Sequence, residues 1–166
     1  MPKSPHILLA TGNCQKVRSN LTYILDSAAI SAIDTEIANN VQGLFNLGMD
    51  HYNFACSIPQ KEWRQRISRL YYGAYNIARS IKLAHEGYYS TETSEHKKIT
   101  ELPVDLPNCP LYKNNLSNLR DDRNLADYDH TVIVNDLVLT PNEAMELVTQ
   151  FIADAKTFLA GKGIKI

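Results

Sequence analysis

The sequence predicts an all-α bundle of four to five helices, and three observations carry that expectation. Apolar residues recur at steps of three and four along several long segments, proline and glycine stand at the ends of those segments, and no run of strict alternation is long enough to build a sheet. At 166 residues, with 44% hydrophobic and 21% charged residues, the chain is the size of one globular domain with a buried core. A net charge of −1 removes the electrostatic case for sequence-independent duplex binding, so nucleic acid would have to meet a local basic patch.

From the N-terminus, Ile7–Ala10 reads as a short strand and Gln15–Asp26 as a short helix, together an extension over residues 1–32. Between Ile33 and Ile58 the positions Ile37, Val41, Leu44, Phe45, Met49, Tyr52, Ala55 and Cys56 keep helical spacing, with Asp34 as the expected N-cap. The clearest pattern runs from Gln60 to Glu86, where Trp63, Ile67, Leu70, Ala74, Ile77, Ile81 and Ala84 define one face of what reads as the longest helix. Pro59 starts it and Gly87 stops it. Tyr88–Pro110, carrying Pro103, Pro107 and Pro110, reads as a proline-rich loop with one helical turn near Ser94–Thr100.

Leu111–Ala126 is a helix with a thin stripe of Leu116, Leu119, Arg123 and Ala126, as expected of a surface that faces a partner. Thr131–Leu139 is a short strand or an extended tether. Pro141–Ala160 is a helix opened by a Thr140/Glu143 capping box and closed by Gly161. The helical domain thus spans residues 33–161, followed by a short tail, residues 162–166.

The longest N-terminal apolar stretch, Ile7–Ala10, is far short of a signal-peptide core or of the ~20 residues that span a bilayer, so the expected setting is cytoplasmic with no membrane contact. Cys14, Cys56 and Cys109 fit neither a disulfide framework nor a zinc spacing, and His6, His51, His85 and His96 assemble no metal pattern; neither metal nor cofactor is expected.

Two runs carry a resemblance. Arg69–Arg79, rich in tyrosine and small residues, resembles the second core helix of HEPN domains, and Leu119–His130 resembles that family's later helix and following loop; a looser likeness extends from Asn40 to Leu159. HEPN proteins are helical components of prokaryotic toxin–antitoxin, nucleotidyltransferase-partner and phage-defence systems. The ribonuclease members carry an Arg, a polar residue and then a His after four to six intervening residues. Arg123 and Asn124 with His130 leave six between, whereas Arg120 leaves nine.

The resemblance implies a metal-independent endoribonuclease toxin or defence effector with Arg123, Asn124 and His130 as catalytic residues at a homodimer cleft, an RNA substrate, and an antitoxin or nucleotidyltransferase partner. The Ala126-Asp127-Tyr128-Asp129 core also occurs in companions of nucleotidyltransferases, so a non-catalytic interaction module is the alternative.

The chemistry of the three residues agrees with the first reading. On an ideal helix Arg123 and His130 share a face about 10 Å apart, a spacing that flanks a phosphodiester. Imidazole transfers protons near neutral pH, and guanidinium matches the non-bridging phosphate oxygens. The residues alone also allow a structural reading, in which Arg123 pairs with Asp127 or Asp122, His130 caps a helix end, and Tyr71, Tyr72 and Tyr75 are core. Arg64, Arg66, Arg69, Arg79 and Lys82 make the Gln60–Glu86 helix the best candidate RNA-backbone patch. Finally, Ile7–Lys16 resembles the opening strand and phosphate-contacting turn of inosine triphosphate pyrophosphatases, which implies nucleotide contact through Thr11, Asn13 and Lys16.

Overall fold

The computed structural model describes residues 12–90 and 92–166. Among them are five α-helices and no strand: α1 (Cys14–Leu21), α2 (Ser27–Ser57), α3 (Trp63–Glu86), α4 (Cys109–Tyr128) and α5 (Pro141–Gly161). The Ile7–Ala10 strand and Thr11 lie outside the described residues. No helix among the described residues is long and apolar enough to cross a membrane.

The longest helix is α2, at 31 residues, not α3. It starts at Ser27 because Asp26 accepts the Ala29 N–H at 2.8 Å, and Ala28, Ala29 and Ile30 extend it by good helix propensity and the burial of Ile30. The boundary expected at 32/33 therefore falls inside an unbroken helix. Asp34 is not a cap: its carboxylate receives Arg18 in a two-pronged pair at 2.7 and 2.8 Å, which joins α1 to α2. Gly48 is a packing residue inside α2. It lies where α2 crosses α3 beside Gly73, and a Cβ there would come within 2.6 Å of Ile77 Cγ1 and 2.8 Å of the Gly73 carbonyl. Two small residues set that helix–helix distance.

Helix α3 is the axis of the bundle, packing on α2, α4 and α5, while α4 and α5 barely touch. Buried residues occupy nearly all its circumference, from Ile67 through Leu70, Tyr71, Ala74, Tyr75, Ile77 and Ala78 to Leu83. It ends at Gly87, whose φ of 68° is left-handed and whose N–H bonds Leu83 O. A side chain at Gly87 would meet Gln15 N at 2.6 Å, so this turn also docks α1.

The proline-rich segment holds a 3₁₀ turn at Thr93–Lys98. Helix α4 buries Cys109, Tyr112, Leu116, Leu119, Asp122 and Ala126 inside the chain. Its apolar stripe thus faces α3, and gives no argument for a partner subunit. Thr131–Leu139 is neither strand nor free tether, but a 3₁₀ turn at Val134–Asp136 anchored by fully buried Asp122, which accepts Val138 N–H and Leu139 N–H at 2.8 Å each. The Thr140/Glu143 capping box opens α5 as the spacing predicts; Gly161 stays helical and Gly163, at φ 78°, makes the turn. The C-terminal residues fold back, with Ile164 against the core.

Candidate functional site

The side chains with unusual environments converge where α3, α4 and the Thr93–Lys98 turn meet. Arg123 is 13% exposed and its guanidinium lies among aromatic faces, 5.1 Å from the Tyr72 ring centre, 5.2 Å from Tyr128 and 5.6 Å from Tyr71. Nη2 donates to Tyr72 Oη at 2.5 Å and Nη1 to Asn124 Oδ1 at 3.1 Å. Nε is 2.8 Å from Asp127 Oδ2, yet its N–H finds no hydrogen-bonded partner, so this pair is a charge contact without a directed bond. The i,i+4 pairing allowed by the structural reading is therefore present, and it leaves part of the guanidinium's donor capacity unused.

Beside it lies a hollow of about 330 Å³ lined by Tyr71, His96, Lys97, Arg120, Asp121, Arg123 and Asn124. His96 Nδ1 is 2.7 Å from Tyr71 Oη, and the ring stacks on Tyr75 at 4.2 Å and 16°. Burial first, then the Arg123 and Arg79 charges, hold His96 below the ordinary histidine pKa. Burial pushes the Tyr71 phenol upward, which keeps its proton in place. On the far side of the tyrosines, His51 packs against Tyr72 at 5.7 Å and is likewise held low, by burial and then by Arg69.

Of the expected catalytic set, Arg123 and Asn124 reach this hollow and His130 does not line it. Helix α4 ends at Tyr128, Asp129 turns to extended backbone, and His130 stands exposed with no hydrogen bond to the described residues. It caps no helix. Arg120, excluded by motif spacing, does line the hollow, held by Asp121 Oδ1 at 2.9 Å. His96 had no motif to mark it. Its only sequence signal was a polar helical turn within a proline-rich loop, and its place beside Arg123 is a tertiary contact.

The basic patch is dispersed. At about 100° per residue its members spread over more than half of the α3 circumference, and because the middle of α3 is buried they are confined to its ends. Arg64 donates to the carbonyls of Leu125, Ala126, Asp129 and Val132, closing the end of α4. Arg66 and Arg69 each bury an Nε without a partner, and Arg69 lies over the Phe54 ring. Arg79 sits over Tyr89 and bonds Ser90 O, and Lys82 pairs with Glu101 at 2.9 Å. No continuous cationic stripe results.

Beside the C-terminal end of α3, Asn13 is the N-cap of α1, its Oδ1 accepting Lys16 N–H at 2.9 Å, so that oxygen is engaged in the fold. Lys16 is exposed. A larger hollow of about 550 Å³ lies nearby, lined by Gln15, Arg18, Asp34, Ala84 and Lys162 among others, but by neither Asn13 nor Lys16; its Arg18–Asp34 pair is self-neutralising. Cys14 and Cys109 are buried, Cys56 is exposed, and all three are free thiols. No group of three or more His, Cys, Asp or Glu among the described residues is placed to hold a metal ion.

No family model, no curated protein and no solved structure matches this chain.

Proposed function

We propose that this chain is a HEPN-type, metal-independent ribonuclease of the toxin or defence kind, acting on single-stranded RNA. The observation that carries the reading is Arg123: a guanidinium removed from water, incompletely hydrogen-bonded, and open with Asn124 onto a hollow rich in positive charge. In the proposed reaction the ribose 2′-oxygen gives up its proton to an imidazole and attacks the adjacent phosphorus. Arg123 offsets the charge that develops on the non-bridging oxygens, and the 5′-oxygen leaves and takes up a proton. The products are a 2′,3′-cyclic phosphate and a 5′-hydroxyl. DNA has no 2′-hydroxyl and is inert.

His130 supplies that imidazole in this reading, from a second copy of the chain. The exposed Tyr128, Ile133 and Val138 in the same stretch of chain support a two-fold contact there. An antitoxin or a nucleotidyltransferase is the partner this class implies.

A second reading, the non-catalytic HEPN interaction module, is favoured by one specific observation. Arg123 already faces Asp127, while His130 lies outside the hollow of its own chain. Purified protein in EDTA decides between them. The ribonuclease reading expects cleavage of single-stranded RNA, intact DNA, a loss of about 10²–10⁴ in rate for His130→Ala, and about a hundredfold loss for Arg123→Ala. Lys113→Ala, an exposed cation on α4, is the charge control. No cleavage of any RNA leaves the interaction module.

A further inference from the structure

We propose that the hollow between the Thr93–Lys98 turn and α4 is a phosphate subsite, in which His96 supplies the directional hydrogen bond and Lys97, Arg120 and Arg123 supply the charge. Its biological ligand rests on the RNA reading above; the binding of phosphate itself does not.

The geometry of His96 is the starting point. Its ring is fixed twice over, by stacking on Tyr75 and by the bond between Nδ1 and Tyr71 Oη. His96 Nδ1 is the one hydrogen-bond partner of the buried Tyr71 hydroxyl among the described residues, so in this proposal the hydroxyl donates to Nδ1 and the neutral ring carries its own proton on Nε2. Nε2 has no protein partner among the described residues. A neutral N–H donor held rigidly at the wall of a cavity is preorganised for an acceptor, because no rotamer freedom is lost when the acceptor arrives.

The charges facing His96 select an anion. Helix α3 presents Tyr71, Tyr75 and Arg79, α4 presents Arg120, Asp121 and Arg123, and its own turn contributes Glu95, Lys97 and Lys98. Of the two carboxylates, Asp121 pairs with Arg120 and Glu95 is engaged by Lys98 and Tyr88 Oη at 2.7 and 2.8 Å. Arg123 meets Asp127, which does not line the hollow, and Lys97 has no acidic partner among the described residues. A guanidinium pair beside a lysine is the donor set that fits the three terminal oxygens of a phosphate, and about 330 Å³ holds a phosphate with its sugar.

The test follows the His96 ring by NMR in the full-length protein and reads the affinity of the wild type and every variant by isothermal titration calorimetry. The probes are inorganic phosphate and two 2′-O-methyl RNA trimers, one 5′-phosphorylated and one with a 5′-hydroxyl; none can be cleaved. The subsite expects saturable shifts of the His96 resonances and a rise in its pKa, since an anion offsets Arg123 and Arg79. His96→Gln and Arg120→Ala should each weaken binding about tenfold, Tyr71→Phe should weaken it less by freeing Nδ1, and Lys113→Ala should leave it unchanged. Binding of inorganic phosphate and the 5′-phosphorylated trimer alone assigns the site to a chain-end phosphate; binding of the 5′-hydroxyl trimer as well assigns it to the RNA backbone.

No saturable shift with any probe overturns the proposal, as does affinity unchanged by both His96→Gln and Arg120→Ala. Phosphate binding without RNA cleavage would leave the subsite standing and sink the ribonuclease reading. Cleavage with unaltered KM in both variants would do the reverse.

Discussion

Arg64, reaching over from α3, and Arg123, on α4 itself, are both half-buried at the last turns of α4, and they are used in opposite ways. Arg64 reaches across from α3 and gives its donors to four backbone carbonyls, those of Leu125, Ala126, Asp129 and Val132. It replaces the hydrogen bonds that the last turn of α4 lacks and places positive charge at the negative end of the helix dipole. Arg123 has one phenol, one amide oxygen and one undirected carboxylate for partners, and otherwise touches ring faces. The Nη groups of Arg64 are committed to backbone carbonyls inside the fold, whereas Arg123 lines an open hollow and leaves its Nε without a directed bond. Counting cations along α3 could not separate these cases, because the difference lies in what the donors meet.

The contrast breaks most directly at Arg64. Arg64→Ala should destabilise the fold by about 3 kcal/mol, since several charge-assisted bonds vanish together and leave carbonyls unpaired. Chemical denaturation reads the loss, and Arg64→Lys should recover little of it, because an ammonium cannot span carbonyls on both sides of the turn. The folded fraction should bind phosphate as the wild type does. If Arg64→Ala instead lost ligand affinity at unchanged stability, the two arginines would not differ in kind.

Asp122 is the negative counterpart of Arg64, a buried carboxylate saturated by two backbone amides. Burial pushes its pKa up, opposed by those two bonds. Asp122→Ala leaves both amides unpaired and should cost about 2 kcal/mol, with the segment from Thr131 to Leu139 exchanging its amide protons faster than the rest of the chain. Uniform protection across that segment in the variant would mean that the carboxylate is not its anchor.

The helices were legible in the sequence to the extent that one residue type dominated each end. The Thr140/Glu143 box and Gly87 are local signals, and α5 and the end of α3 stand where they put them. Asp34 misplaced the start of α2 because an acidic residue before an apolar run looks the same whether its carboxylate caps a helix or receives an arginine from another one. The stripe on α4 looked thin because Asp122 and Tyr112, both fully buried, count as polar in a sequence pattern. Arg123 and Asn124 were marked by their spacing in a motif. His96 was not, since only the folding back of the proline-rich segment brings its ring to Tyr71 and Tyr75, and no periodicity records that.

Tyr72 offers the smallest and sharpest test of the comparison, because its hydroxyl is the one neutral oxygen from α3 that Arg123 reaches. Tyr72→Phe keeps the ring, and with it the packing beneath the guanidinium, and removes only the 2.5 Å bond from Nη2. If Arg123 is held mainly by ring faces and charge, the variant should lose about 1 kcal/mol of stability at most, the ordinary worth of one hydrogen bond. Phosphate affinity should fall only about threefold, as the fork becomes less well oriented but stays in the hollow. A loss as large as that of Arg123→Ala would show that the phenol, and not the aromatic cradle, sets the position of the guanidinium. Arg123 would then resemble Arg64, a cation whose place is fixed by the oxygens it meets.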